Sequence, residues 1–407
     1  MSRPHRDITL LFATRIIRLF CYGFLSVVLA LYLLAAGLTG GQIGLLLTLT
    51  LAGDAVISLW LTTSADRFGR KRTLIAGALL MIGAGVVFIF TRNPIALAIA
   101  AIIGVISPSG NEIGPFLSVE QAALTQLLPG EKRTQTFAWY ALAGSLATAT
   151  GALAGGWLAV GLQTNGFSVL DSYRVVLAGY ALGGLALAGM FLSLTGAVEV
   201  APADRVETKL FLGLHRSRSV VMRLSALFAM DAFAGALLVQ SMMAYWFHVK
   251  YGVDSGVLGS IFFGANILAG VSALLAARIA RRFGLINTMV FTHIPSNILL
   301  ILVPLMPNLP LAIGVLLARF SISQMDVPTR QSYTMAVVAP DERSAASGVT
   351  TIARSVGAAF SPSLSGLLMA VPALFSAPFF LSGGLKIVYD LLLFNSFRRL
   401  KPPEEKL

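Results

Sequence analysis

The stretch ADRFGRKR, residues 65–72, sets four cations and one acid between two long apolar runs. Those runs, residues 41–63 and 73–91, each have the length of about 20 residues that a helix needs to cross a bilayer. Charged side chains are costly in hydrocarbon, so the stretch is predicted to be a tight loop at one membrane face. Clusters of Arg and Lys in short loops favour the cytoplasmic face. The loop therefore fixes the direction of the neighbouring spans.

The composition of the whole chain is that of a protein with many membrane spans. Of its 407 residues, 56% are hydrophobic and only 12% are charged, and the mean hydropathy is +0.81. Soluble domains carry about twice that share of charge. The net charge of +12 is spread over short loops, which is the distribution that membrane orientation requires. We therefore expect a bilayer and a small solute as partners, and no nucleic acid.

Hydropathy divides the chain into twelve predicted spans. They lie near residues 8–36, 41–63, 73–91, 95–119, 137–160, 174–197, 220–248, 255–277, 286–306, 309–330, 344–369 and 373–396. Most of the flanking Arg and Lys residues fall on one side of this arrangement. With an even number of spans, both termini are predicted to be cytoplasmic. We expect a multi-pass monomer in the plasma membrane, as in a bacterial inner membrane.

The two halves of the chain repeat each other. At an offset of 215 residues, nine residues of the first half recur as the same residue type in the second half. The first set is Gly37, Gly41, Gly44, Val56, Leu59, Ala65, Arg67, Phe68 and Gly69, and the second, in the same order, is Gly252, Gly256, Gly259, Val271, Leu274, Ala280, Arg282, Phe283 and Gly284. An offset of 210 likewise sets Gln121 and Arg133 on Gln331 and Arg343. This predicts an N-terminal six-helix bundle at residues 1–198, a cytoplasmic linker at 199–219 and a C-terminal six-helix bundle at 220–407. Such repeats are typical of transporters.

The twelve spans, the repeat and the motif from Asp66 to Lys71 resemble the major facilitator superfamily. The resemblance implies an all-α integral membrane fold of two pseudo-symmetric six-helix bundles. It also implies secondary active transport by alternating access, and no enzymatic activity. The chain departs from the family motif at Thr62, where a glycine is usual, and the second copy of the motif has Arg281 in place of the acid.

Polar side chains at helical spacing mark the predicted helices 1, 4, 7 and 10, which line the central cavity in the fold that the chain resembles. Ionisable groups inside membrane spans are functional or paired. We predict a substrate site and proton-coupling residues on these helices, with a small organic anion or zwitterion held by guanidinium groups. The substrate residues are Arg18, Tyr22, Asn111, Arg319 and Asp326, and the proton-coupling residues are Glu112 and Asp231.

A structural interpretation of the same charges stays open. Arg18 could pair with Glu112, and Arg319 with Asp231 or Asp326, so that these pairs only hold the helices together. Lys386 and Asp390, spaced i, i+4, are predicted to neutralise each other. His293 is interpreted as a buried histidine with satisfied partners.

A second set of residues is predicted to control opening and closing. The resemblance assigns this gating role to Asp66, Arg67, Gly69, Arg70, Glu120 and Arg354. Glu120 is expected to pair with Arg70. Asp66 is expected at the N-terminus of helix 11, where the helix dipole favours an anion. Arg354 is expected to reach Asp54.

Two alternatives to an organic-anion transporter remain. The run from Gly151 to Gly156 is similar to the signature of drug/proton antiporters, although Ala152 replaces its proline, and close helix packing would use the same residues. A transporter-like membrane sensor is the other alternative. The sequence has no phosphate-binding loop and no metal-ligand cluster, so we expect no cofactor and no metal, with H⁺ as the coupling ion.

Overall fold

The computed structural model describes residues 3–111, 115–199, 216–339 and 342–400, apart from the side chains of residues 3–4, 62–64, 66–67, 130–135 and 344. In this part of the chain all the regular structure is helical. The α-helices are α1 (Arg3–Ser26), α2 (Leu29–Ala35), α3 (Gly40–Phe68), α4 (Arg70–Phe90), α5 (Pro94–Ile103), α6 (Phe116–Leu127), α7 (Gly130–Thr164), α8 (Val169–Leu192), α9 (Arg218–Ala236), α10 (Gln240–Tyr251), α11 (Ser255–Phe283), α12 (Leu285–Leu302), α13 (Leu309–Phe320), α14 (Asp326–Val337), α15 (Arg343–Ala359), α16 (Ser361–Met369) and α17 (Ala377–Phe397).

Nine helical segments among the described residues are long and apolar enough to cross a membrane. The three remaining predicted spans, the fourth, tenth and eleventh, are each divided between two shorter helices: α5 and α6, α13 and α14, α15 and α16. The predicted all-α membrane fold is confirmed. The cytoplasmic location of the termini stays a prediction.

The four predicted cavity helices are all interrupted near their middles. Breaks separate α1 from α2, α5 from α6, α9 from α10 and α13 from α14. In the fourth span the break contains Pro108, Pro115 and Gly110, whose φ of +70° is a conformation that glycine adopts readily. Non-helical backbone at membrane depth is tolerated only where it is buried in protein or lines a wet cavity. All four spans that the sequence marks as functional are thus interrupted, as is the eleventh span.

Residue contacts divide the chain into two compact units. The first consists of Met1–Glu207 with Gln240–Phe263, and the second of Thr208–Val239 with Gly264–Leu407. In the first unit α1 packs against α7 and α8, and α4 packs against α8. In the second unit α9 packs against α15 and α17, and α12 packs against α17. The domain boundaries predicted from the sequence stay a prediction.

The packing of α1 against α7 depends on glycines. A Cβ added at Gly23 would lie 2.0 Å from the carbonyl oxygen of Thr148, and one at Gly151 would lie 2.1 Å from that of Phe20. Gly155 has the same relation to Phe24. Small residues at i, i+4 spacing let helix backbones approach this closely in a membrane. The glycine run that resembles an antiporter signature thus has a packing role in this chain.

Candidate functional site

Arg18 on α1 and Glu120 on α6 form a fully buried, bidentate ion pair in the first unit. Arg18 Nη1 donates to Glu120 Oε1 at 2.8 Å, and Nη2 donates to Oε2 at 2.7 Å. Both residues have no solvent exposure. The planar guanidinium matches a carboxylate in this parallel geometry, so the pair is strong as well as specific in orientation.

Further donors complete the coordination of Glu120. Thr14 Oγ1 donates to Oε1 at 3.0 Å, and the Tyr140 hydroxyl donates a very short hydrogen bond to Oε2. Arg15 is also buried here: its Nε donates to the Tyr140 carbonyl oxygen at 2.7 Å, and its guanidinium lies over the Tyr140 ring. A buried carboxylate needs such saturation to offset the cost of removing its charge from water. We name Thr14, Arg15, Arg18, Glu120 and Tyr140 the first cluster.

The first cluster differs from the sequence expectation for Glu120. We expected this residue to pair with Arg70 in a gating contact, but its carboxylate is held by Arg18, Thr14 and Tyr140. Arg18 lies on α1, which packs against α6, and its planar guanidinium contacts both carboxylate oxygens of Glu120. The substrate-binding role of Arg18 and the gating role of Glu120 stay predictions. The described contacts of both are those of a buried structural pair.

Arg70 instead anchors the loop that follows α3. Its Nη1 donates to Gln126 Oε1 at 2.9 Å and to the Val198 carbonyl oxygen at 3.2 Å. The Glu199 carboxylate accepts from the backbone N–H groups of Arg70 and Lys71 at 2.8 and 3.1 Å. An anion at a helix N-terminus is stabilised by the free N–H groups and the dipole. Gly69, with φ of +101°, turns the chain into this position.

Asp231 on α9 is the centre of a second buried cluster, in the second unit. Its Oδ2 accepts from Arg330 Nη1 at 3.0 Å and from Arg354 Nη1 at 3.1 Å, while Lys386 Nζ donates to Oδ1 at 2.9 Å. Arg330 also donates to Asp326 Oδ2 at 2.9 Å. Asp231, Asp326, Arg330, Arg354 and Lys386 are named the second cluster. Its direct contacts join three cations and two carboxylates, and Asp390 also acts electrostatically on Lys386.

Of the residues of the second cluster, Arg354 has the most solvent-exposed side chain. The side chains of Asp231, Arg330 and Lys386 are 4–11% exposed, whereas that of Arg354 is 34% exposed. Arg354 is therefore the most exposed cation of the second cluster. Arg330 and Lys386 also bind Asp231, so that carboxylate keeps two cationic partners without Arg354.

Arg319, on α13, is a further cation of the second unit with spare donor capacity. Its guanidinium lies 4.8 Å from the centre of the Phe320 ring, and Asp326 is the acidic group that acts on it electrostatically. Its buried Nε has no hydrogen-bond partner in the part of the chain that the structure describes. An unpaired buried N–H is costly, and a ligand that accepts from it recovers that cost.

Lys386 and Asp390 do not neutralise each other as the i, i+4 spacing predicts. Lys386 donates to Asp231, and Asp390 accepts from Asn297 Nδ2 at 3.2 Å and faces His293 Nδ1 at 2.9 Å. Residues four apart share one helix face, but α9 and α12 both pack on α17 and offer closer partners. His293 is thus a buried histidine with a satisfied partner, as interpreted from the sequence.

The two ion pairs occupy related positions in the repeat, with opposite polarity. Glu120 and Arg330 are offset by 210 residues, the offset that relates Gln121 to Gln331. In the first half the cation lies on the first predicted span (α1) and the acid on the fourth (α6). In the second half the acid lies on the seventh span (α9) and the cation on the tenth (α14). Sequence reasoning assigned Arg330 no role and missed this relation.

The other predicted site residues have varied positions. Tyr22 is fully buried, and Asn111 is exposed and accepts from Ser107 Oγ through its carbonyl oxygen at 2.8 Å. Glu112 lies outside the described residues, as do the side chains of Asp66 and Arg67. Asp54 accepts from Ser58 at 2.9 Å, and its pairing with Arg354 stays a prediction. Among the described residues, no three His, Cys, Asp or Glu side chains group as metal ligands.

Comparisons with known proteins agree on one family. Residues 11–362 match the model of the Major Facilitator Superfamily. Uncharacterized membrane protein YJR124C of Saccharomyces cerevisiae is 32% identical over 418 residues, covering 95% of this chain and 93% of the yeast protein. The nucleoside transporter NupG superposes with a TM-score of 0.76 at 14% identity, covering 98% of this chain and 100% of that one. A D-xylose-proton symporter superposes with a TM-score of 0.71 at 15% identity, covering 95% and 97%.

Proposed function

Because the chain belongs to the Major Facilitator Superfamily of multi-pass membrane transporters, which are not enzymes, we propose that it carries a small organic anion or zwitterion. The proposal rests on one observation. Asp231 is bound by three cations, and without Arg354, the most exposed of them, it would still be bound by Arg330 and Lys386. A carboxylate or phosphate group of the solute would accept from Arg354, and the unpartnered Nε of Arg319 supplies a further donor on the same unit.

Proton coupling follows from the competition that such a solute creates. An arriving anion and Asp231 share Arg354 as a donor, so Asp231 loses part of its neutralising partner when the solute binds. A buried carboxylate that loses a cation binds a proton more readily. Transport of the anion would thus be linked to protonation of Asp231, which is the coupling role predicted from the sequence. The plasma membrane is part of the proposal as the site of action.

A drug/proton antiporter, the alternative function, receives no support from the glycine run, because Gly151 and Gly155 are explained by packing against α1. An exporter of lipophilic cations would need an accessible surplus of acid. The second cluster has the reverse balance.

A thermal-shift screen of the purified protein against charged metabolites tests the proposal. A ligand that binds only the folded state raises its midpoint of unfolding, by RT ln(1 + [L]/Kd) in free energy. We expect stabilisation by one class of small anions or zwitterions. The affinity for that ligand, derived from the shift, should be at least tenfold weaker in Arg354→Gln and in Arg319→Gln. Arg174→Gln, which removes a partly exposed cation paired with Asp171, is the matched control and should respond like the wild type. Stabilisation by lipophilic cations alone would contradict the proposal.

Proton flux into proteoliposomes, followed with an internal pH-sensitive dye, tests the coupling. The stabilising anion should drive proton movement in the wild type. Asp231→Asn combined with Lys386→Met removes the carboxylate together with one cation, so the net charge of the cluster is unchanged, and it should bind the anion without moving protons. Proton flux equal to that of the wild type would rule out Asp231 as the coupling residue.

A further inference from the structure

A groove on the second unit lies where α11 ends and α12 begins. It has a volume of about 420 Å³ and is lined by Ile279, Phe283, Asn287, Thr288, Phe291 and Thr292. The rings of Phe283 and Phe291 are 56% and 60% exposed, so the groove is open at the protein surface. Ligand pockets commonly have volumes of about 300–1,000 Å³. The groove is large enough for a chain of hydrocarbon.

The polar side chains that line the groove have their donors bonded within the protein. Asn287 Nδ2 donates to the Phe283 carbonyl oxygen at 2.9 Å. Thr288 donates to the Gly284 carbonyl oxygen at 2.8 Å, and Thr292 to that of Thr288 at 2.7 Å. The groove therefore presents methyl groups and aromatic rings, which suit an acyl chain better than a polar solute.

Three arginines lie on the last turns of α11, next in sequence to the groove residues Ile279 and Phe283. Arg278, Arg281 and Arg282 are exposed on the last turns of α11, at i, i+3 and i+4 spacing that places them on one side of the helix. Arg282 lies 5.4 Å from the centre of the Phe283 ring, at the groove wall. Residues 255–302, which make up α11 and α12, contain no Asp or Glu. Within the described residues, none of the three arginines forms an ion pair.

The repeat shows what these cations lack. In the first half, Asp66 adds an acid to the loop, and the N-terminus of α4 receives the Glu199 carboxylate. There Lys71 Nζ donates to the carbonyl oxygens of Leu192 and Leu194 at 2.7 and 2.9 Å. In the second half, Arg281 replaces the acid and no side chain caps α12. The second copy of the loop thus keeps its positive charge, and no acidic side chain of the described residues forms an ion pair with it.

We propose that this site binds an anionic phospholipid of the surrounding bilayer. One acyl chain fills the groove against Phe283 and Phe291, and the phosphate accepts from the guanidinium groups of Arg278, Arg281 and Arg282. Each such cation near an anionic lipid surface adds to the attraction. The bilayer is the source of the ligand because the hydrocarbon groove and the cations are continuous, whereas a soluble phosphate would use the cations alone.

Native mass spectrometry of the purified full chain tests the site. The protein is titrated with phosphatidylglycerol and with phosphatidylcholine of identical acyl chains. We expect a preference of about tenfold for phosphatidylglycerol in the wild type, and its loss when Arg278, Arg281 and Arg282 are all changed to Gln. Phe291→Ser should weaken the retention of both lipids, since it removes part of the groove wall.

A control variant with Arg398→Gln and Arg399→Gln removes two exposed cations at the end of α17 and should keep the preference. Equal retention of both lipids by the wild type would overturn the proposal. So would an equal loss in the control variant, which would indicate general surface charge. Displacement of the lipid by inorganic phosphate at millimolar concentration would indicate a soluble anion site and would also overturn it. None of these readouts involves the transported solute, so the site is tested independently of the proposed function.

Discussion

The first and second clusters arise from related positions of one repeat, yet they differ in balance. In the first, Arg18 and Glu120 are fully buried, and every acceptor atom of Glu120 has a donor. In the second, the polarity is reversed, and Asp231 holds three cations, one of them a third exposed. A saturated pair fixes two helices, whereas a cluster with a spare cation can exchange a partner. This difference is the reason why we propose a structural role for the first cluster and a binding role for the second.

The largest expected effect comes from breaking the saturated pair. Glu120→Gln leaves the Arg18 guanidinium buried without its counter-charge, which costs about 3–5 kcal/mol of stability. A strongly lowered midpoint of thermal unfolding and reduced yield in detergent are the expected results. The double variant Arg18→Met with Glu120→Gln should recover most of the loss, because no unpaired charge remains. A single variant as stable as the wild type would contradict the assignment of a structural role to this pair.

A smaller effect is expected when the second cluster loses one cation. In Lys386→Met, Asp231 keeps Arg330 and Arg354, so the loss is about 1–2 kcal/mol, in the range of one charged hydrogen bond. The midpoint of unfolding in the same detergent measures it. If Lys386→Met destabilises as much as Glu120→Gln, the second cluster has no surplus cation and the comparison between the clusters fails.

The smallest effects separate two buried tyrosines, one beside each cluster. The Tyr140 hydroxyl donates to Glu120, and Tyr140→Phe should cost about 1–2 kcal/mol. The Tyr389 hydroxyl makes no hydrogen bond of regular geometry among the described residues, although Arg330 lies close to it, and Tyr389→Phe should cost less than Tyr140→Phe, by about 1 kcal/mol. The two variants remove the same atom from rings of similar burial. Equal losses would show that the saturation of the first cluster has no energetic consequence.

Hydropathy and charge predicted the helical membrane fold, because the bilayer requires every span to be long, apolar and helical. The break in the fourth span also follows from local sequence, since it contains Pro108 and Pro115, which cannot continue a helix. The same sequence marked helices 1, 4, 7 and 10 as polar, and the structure interrupts all four. These features depend on local sequence, which can be read one span at a time.

Partners across helices could not be read in the same way. The sequence offered Arg70 for Glu120 and Asp390 for Lys386, whereas the structure pairs Glu120 with Arg18 and Lys386 with Asp231. Which acid a cation meets depends on the rotation and depth of two helices, and a helix break changes both. In the repeat, Glu120 of the first half corresponds to Arg330 of the second half, so an acid is replaced by a cation at the equivalent position. This is the one signal in the sequence that could have located both clusters.

The most direct test compares anion binding by variants of the two clusters. The affinity for the stabilising anion, measured by calorimetry or thermal shift, is determined for the wild type, for Arg354→Gln, and for the double variant Arg18→Met with Glu120→Met. We predict that Arg354→Gln weakens binding at least tenfold, whereas the double variant stays within about twofold of the wild type. Unchanged affinity in Arg354→Gln, together with loss of binding in the double variant, would contradict the account and return the binding role to Arg18.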